Sequence, residues 1–409
     1  MATTKVTTPV SNFNKAGIEE GLKIPGGDNS NQPTAVTGMI RSDSSYSSLG
    51  SSSVISHYNG TEWRYFENVS PYSQDFNTVL YNGSASNQSI TGVGFQPDLV
   101  WIKCRDVTNN HILADSVRGG DGTRQYFLLT NGTNAQITTS NQIETIDSDG
   151  FTVFGDRSAS NRANQEYVAW CFKAGGTAVS NTDGTITSQV SANSDLGFSI
   201  VSYTGNLTNT TTANSTSVGH GLTQAPELII FKNLSISTPW QVFSSELTNW
   251  STRLALNDTS SADDLYSSYP IANPTTSVFY TNYLTGQNVS GYNYIAYCFS
   301  SKQGVSKVGG YTGTGVAGNK VVTGFEPAFV LVKASSSSGS WVMLDNKRNP
   351  SDPRAKILQS DLSDAEIDLK SLYGLDCMFF HTDGFSLEDS NATRNANGVN
   401  YIYLAFAQI

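Results

Sequence analysis

Two six-residue segments, YVAWCF at 167–172 and YIAYCF at 294–299, place a cysteine at the same point of the same phrase. A repeated thiolate would suit nucleophilic or metal chemistry, which needs a deprotonated and accessible sulfur. The phrase recurs near the end as YIYLAF (401–406), with Ala405 in the position of Cys171 and Cys298. Alanine can replace a small buried hydrophobe but neither a nucleophile nor a ligand, so Cys171 and Cys298 read as core positions. Cys104 and Cys377 lie far from both, and no two cysteines have the close spacing of a zinc site.

The acids and imidazoles add little chemistry. Asp149 and Asp383 precede glycine in SDGFTV and TDGFSL, as turn residues do. Asp115 and Asp345 each follow a lysine, Lys103 or Lys333, by twelve residues, which predicts a lysine–aspartate pair at the end of adjoining strands. After Lys232 the same place holds Ser244. His57, His111, His220 and His381 stand in unrelated contexts without a G-x-S-x-G elbow beside them. HExxH, Walker, Rossmann and EF-hand patterns are missing. The loop TNGTNAQ (130–136) has oxygens a calcium ion would accept, yet reads first as a hydrophilic turn. The expectation is a non-enzymatic protein with no catalytic residue, no metal and no cofactor.

Composition narrows the class further. Asp, Glu, Lys and Arg make up 14% of the chain and the formal charge is −10, so a phosphate-binding surface is not expected and nucleic acid is excluded as a partner. Apolar runs such as LVWI (99–102) and AFVLV (328–332) are strand-sized, which argues against membrane insertion. The opening MATTKVTTPVSNFNKAG has no apolar stretch of the secretory kind, so synthesis in a reducing cytoplasm is expected.

A repeat positions these residues. GFQPDLVWIK (94–103), GLTQAPELIIFK (221–232) and GFEPAFVLVK (324–333) each end in a lysine. Eight residues after Lys103, Lys232 and Lys333 come His111, Trp240 and Trp341, opening HILAD, WQVFS and WVMLD. Upstream of each lysine stands a Tyr-x-Gly strand end, LYNG (80–83), SYTG (202–205) or GYTG (310–313). One spacing kept three times marks a structural repeat.

Within a copy, apolar and polar residues alternate over strand lengths and stop at Asn, Asp, Gly or Ser. In YVAWCF, Tyr167, Ala169 and Cys171 face one way and Val168, Trp170 and Phe172 the other, so both faces of a central strand are covered. The predicted fold is all-β: three tandem antiparallel β-sandwich domains, jelly-roll-like, preceded by a small β or extended N-terminal arm. The boundaries fall at 1–70 for the arm, 71–176 for the first domain, 177–195 for a linker, 196–304 for the second domain and 305–409 for the third. One short helix is expected within 360–372.

In the arm, Asn59-Gly60 is a hairpin signal, and Tyr58, Trp63, Tyr65 and Phe66 form an aromatic group suited to attachment. In the second copy, the loops SSYPIANP (267–274) and TNYLTGQNVSGYNY (281–294) carry Tyr269, Tyr283 and Tyr292, candidates for receptor or subunit contact.

The combination of GFQPDLVWIK, SDGFTV and YVAWCFKAGG, followed by NTDGTITSQVSANSDLGFSIVSYTG (181–205), resembles an uncharacterised repeated β domain. That domain occurs in tail-fibre-like and other virion proteins of marine phages, cyanophages and pelagiphages above all. The resemblance covers about residues 71–409, and the arm's MIR…YNGTEW pattern (39–63) is similar to short modules near the start of phage fibre proteins. It implies a virion protein made in the host cytoplasm, a tail fibre or spike subunit that contributes to host attachment. It further implies a homotrimer, other tail or capsid proteins as partners, and a host-surface glycan or protein as receptor. A capsid decoration or tail-associated protein without receptor binding is the alternative. A polysaccharide depolymerase comes third, since the paired carboxylates it needs have no sequence support.

Overall fold

The computed structural model describes residues 75–209, 216–264 and 271–407, together with four short strands nearer the N-terminus. The chain divides into two compact units, Met1–Pro71 and Tyr72–Ile409. In the first unit, Gly26–Gly27, Ile40–Asp43, Val54–Tyr58 and Trp63–Tyr65 form one sheet in chain order, the first pair parallel and the others antiparallel. Tyr58 is opposite Trp63, and the Asn59-Gly60 turn expected between them lies outside the described residues. Phe66 lies outside the described residues.

The second unit is almost entirely antiparallel β structure. Its one helix among the described residues, Leu369–Tyr373, is capped by the Asp368 side chain and ended by Gly374 in the left-handed region. The sequence repeat appears as a repeated strand order. In the first copy the main sheet runs Phe76–Asn82, Glu166–Phe172, Leu99–Cys104 and Ile112–Asp115. The second gives Phe198–Thr204, Asn293–Phe299, Leu228–Asn233 and Gln241–Ser244 in the same order, and the third Ser306–Thr312, Asn400–Ala407, Pro327–Ala334 and Val342–Asp345. The closing phrase is therefore the inner strand each time, with Trp170 paired to Thr78 on one side and Trp101 on the other.

Strand alternation divides the apolar residues between two cores. Tyr167, Ala169 and Cys171 pack with Phe151 and Val153 of a smaller sheet in the first copy. Tyr294, Ala296 and Cys298 do so with Phe279 in the second, and Tyr401, Tyr403 and Ala405 with Phe385 in the third. Val168, Trp170 and Phe172 turn the other way, into a cluster to which all three copies contribute. Phe76 stacks on Phe406 at 5.0 Å, Phe406 meets Phe172 at 5.2 Å, and Phe172 meets Phe198 at 5.6 Å. Each such ring removed from water stabilises the fold by roughly 1.5–3 kcal/mol. Boundaries drawn at 176, 195 and 304 thus divide the sequence, while the central core runs across them.

One expectation is corrected. Residues 177–195 do not form a linker: Val179–Asn181 and Ser188–Asn193 extend the second sheet at its outer edge, in register from Ser188↔Tyr203 to Asn193↔Phe198. Their polar composition hides the alternation, because one face buries only Ser188, Val190 and half-buried Ala192. A strand that needs so little apolar surface resembles a loop in composition.

Candidate functional site

Lys103, Lys232 and Lys333 are fully buried at the ends of their strands. The Lys232 ammonium donates to the carbonyls of Asn233, Thr238 and Thr133 at 3.2, 2.9 and 3.1 Å. Lys333 donates to Ala334 and Gly339 at 3.2 and 2.7 Å, and to Thr259 and Ser260 at 3.1 and 2.8 Å. Lys103 keeps the bond to its neighbour, the Cys104 carbonyl, at 2.7 Å. By holding the carbonyls one and six residues on, the ammonium of Lys232 or Lys333 folds the loop that delivers the aromatic at the eighth. In the second and third copies the spacing has this cause. Burial pulls all three lysines down to about 8, which still leaves them protonated at neutral pH.

The remaining acceptors belong to another copy. Thr133, bound by Lys232, is in the first copy; Thr259 and Ser260, bound by Lys333, are in the second. The aromatic positions follow the same rule. Trp240 Nε1 donates to the Leu129 carbonyl at 2.9 Å and Trp341 Nε1 to that of Ala255 at 2.8 Å. His111 closes the cycle, its Nε2 lying 3.0 Å from the Gln359 carbonyl of the third copy. Trp101 Nε1 donates to His111 Nδ1 at 3.0 Å, so the network puts the imidazole proton on Nε2. Burial holds His111 well below the usual histidine range, and it is neutral. Lys232, Lys333 and all three aromatic positions are clasps between copies, and the three copies close on themselves.

Asp115 and Asp345 do not pair with Lys103 and Lys333, which corrects that expectation. Asp115 is opposite Leu99 and Asp345 opposite Phe329, at the far ends of the strands from the lysines. Asp115 binds Arg118 and accepts from the Tyr297 hydroxyl of the second copy at 2.7 Å. Asp345 binds Arg348 and accepts from Trp170 Nε1 of the first copy at 3.1 Å. The corresponding residues at the remaining seam are Ser244, Leu247 and Leu404. Acid, arginine and aromatic donor are all replaced there together, because a buried carboxylate without donors would be unsatisfied. The D-x-x-R spacing in ADSVR and LDNKR, lost in SSEL, is a signal that reading the sequence for catalysis passed over.

The other candidates are structural groups as well. Asp149 accepts from the backbone N–H of Gly92 and Gly94 at 3.0 and 2.6 Å, which holds its carboxyl below the usual range. Asp383 is likewise lowered, by Lys320 at 2.8 Å. In the loop 130–136, Asn131 Oδ1 accepts from the His111 N–H within the first copy, and Thr130 Oγ1 donates to the Ser360 carbonyl of the third. Burial raises the thiols of Cys171 and Cys298 far above the usual range, leaving them protonated. Tyr283 and Tyr292 are both half-buried, Tyr292 against the inner core of the second copy. Tyr269 lies outside the described residues.

A cleft of about 580 Å3 opens at the seam between the second and third copies, where the charged clasp is replaced. Glu246 and Asp264 line it from the second copy, and Gly310, Thr312, Ser336 and Asn400 from the third. Its volume lies in the range of ligand sites. Among the described residues no lysine, arginine or histidine lines it, and the charged groups there are the acids Glu246 and Asp264. A Cβ on Gly310 would lie 2.8 Å from Glu246 Oε2. The other copies carry Leu80 and Ser202 at this position, and a side chain here would push the Glu246 carboxylate from its present place. Among the described residues, none of the site residues expected from the sequence lines the cleft.

The chain belongs to the family described as Domain of unknown function (DUF7483), which matches residues 71–409. No curated protein and no solved structure matches the chain.

Proposed function

We propose that the chain is a structural subunit of a phage virion, a tail fibre or spike subunit that contributes to host attachment. One observation carries this reading: Lys103, Lys232, Lys333, His111, Asp115 and Asp345 are all buried in bonds that hold the body together. The groups best suited to acid–base chemistry are thereby removed from solvent and from any substrate, as suits a rigid particle component. The resemblance of the repeat to virion proteins supports the same reading. In this proposal the sheets of residues 71–409 are three β-sandwich units of jelly-roll type, and the arm, residues 1–70, anchors the body to tail or capsid. Self-association as a homotrimer and a host-surface glycan or protein as receptor belong to it.

The closed set of three copies also favours a second reading. A body built on one strand order repeated three times suits a threefold position on a shell, where a decoration protein would sit without touching the host. Electron microscopy of intact particles carrying a gold-labelled chain separates the two. Label at the distal tail supports the attachment role, label spread over the capsid supports decoration, and label on neither overturns both. Deleting residues 1–70 is expected to release the protein from particles, and retention on them would refute the anchoring role.

A further inference from the structure

The cleft between the second and third copies also exposes an unfinished sheet edge. Ser306–Thr312 pairs on one side only, with Asn400–Ala407. Backbone bonds from Gly313 N to Val399 O and from Ala407 N to Val305 O fix which residues point inward. By strand alternation, the N–H and C=O groups of Ser306, Val308, Gly310 and Thr312 point away from the sheet. Most of them have other partners. Ser306 N donates to the Lys302 carbonyl, Ser301 Oγ serves both the N–H and the C=O of Val308, and Asn319 Nδ2 donates to the Thr312 carbonyl. Among the described residues the Gly310 N–H, the Gly310 C=O and the Thr312 N–H have no partner, and both residues line the cleft.

The protein itself shows what such an edge takes. In the second copy Ser202, the counterpart of Gly310, is paired with Gln189 of the added strand Ser188–Asn193. Among the described residues the third copy has no strand in that place. We infer that the cleft receives a short extended segment of a partner protein, added as an antiparallel strand at Gly310 and Thr312, with a Lys or Arg directed to Glu246 and Asp264. Backbone bonding supplies the affinity and the acidic lining selects the side chain. The segment is short, because Ser301 and Lys302 already close the edge beyond Val308. This proposal concerns the isolated protein and stands apart from where on a particle the chain is located.

The test uses the full chain and a fluorescent peptide, acetyl-Thr-Val-Lys-Val-Thr-amide, read by anisotropy. Its counterparts carry Glu for the central Lys, or N-methyl groups on alternate backbone nitrogens. Saturable binding of the Lys peptide is expected, weakened about tenfold or more by the Glu exchange and by N-methylation. Glu246→Gln should weaken the Lys peptide by about tenfold while leaving the Glu peptide no worse than before. Thr312→Pro removes an outward N–H at a residue that already carries a Cβ, where an edge strand tolerates proline, and should abolish binding with the melting temperature little changed. Leu80→Pro, at the equivalent edge of the first copy, should leave binding unaltered. Equal binding of the Lys and Glu peptides would overturn the proposal, as would binding untouched by N-methylation or Glu246→Gln. Displacement of the peptide by a neutral oligosaccharide, with the N-methyl series unaffected, would assign the cleft to sugars instead.

Discussion

Asp115→Ser tests the account of the seams. The Asp115 and Arg118 side chains are 0% and 1% exposed, so removing the carboxylate leaves a guanidinium buried without its counter-charge. It also leaves the Tyr297 hydroxyl without its acceptor. Breaking a buried pair from one side costs about 3–5 kcal/mol. The triple exchange Asp115→Ser, Arg118→Leu and Tyr297→Leu copies Ser244, Leu247 and Leu404 of the third seam and strands no charge. Its remaining cost is the space left beside Trp240, which Tyr297 stacks on at 6.4 Å. A cavity of that kind costs about 2–3 kcal/mol, so the triple variant should be no less stable than the single one despite two further changes. Urea unfolding followed by tryptophan fluorescence and circular dichroism would measure both, with coincident curves and an unchanged slope required for comparison. A single variant within about 1 kcal/mol of wild type would refute the reasoning, as would a triple variant as unstable as the sum of its three parts.

Cys298→Ala should cost about 1–2 kcal/mol in the same assay, since a buried thiol is exchanged for the residue the third copy already uses, and a larger loss would point to a role beyond packing. Lys232→Met strands the Thr133, Asn233 and Thr238 carbonyls and should cost about 2 kcal/mol or more, whereas Lys103→Met, with the Cys104 carbonyl alone bound, should cost less; the reverse order would contradict the clasp. His111 and His220 are held below the usual range, so only the unfolded chain takes up their protons as pH falls through about 6.5. Stability is then lost on acidification by up to about 1.4 kcal/mol per pH unit for each, and His111→Gln should remove one of the two shares. Equal slopes for wild type and His111→Gln between pH 6.5 and pH 5 would show that His111 is not buried neutral.

The repeat and its strands were legible because both are local. Alternation in YVAWCF places alternate side chains on opposite faces whatever the surroundings, and Ala405 in the register of Cys171 and Cys298 identifies a packing position without coordinates. The eight-residue interval from lysine to aromatic is likewise local, and at Lys232 and Lys333 one ammonium binding carbonyls on its own loop sets that length. What those residues bind was not legible. The partners of Trp240, Trp341 and His111 lie 111, 86 and 248 residues away, and only closure of the three copies brings them within reach. Asp115 and Asp345 were misassigned for the same reason: their lysines are near in sequence but at the opposite end of the strand, while their donors come from other copies. The cleft lay beyond sequence reasoning altogether. It depends on a glycine, a glutamate from another copy and an unpaired strand edge meeting in space, and no local pattern records the absence of a neighbouring strand.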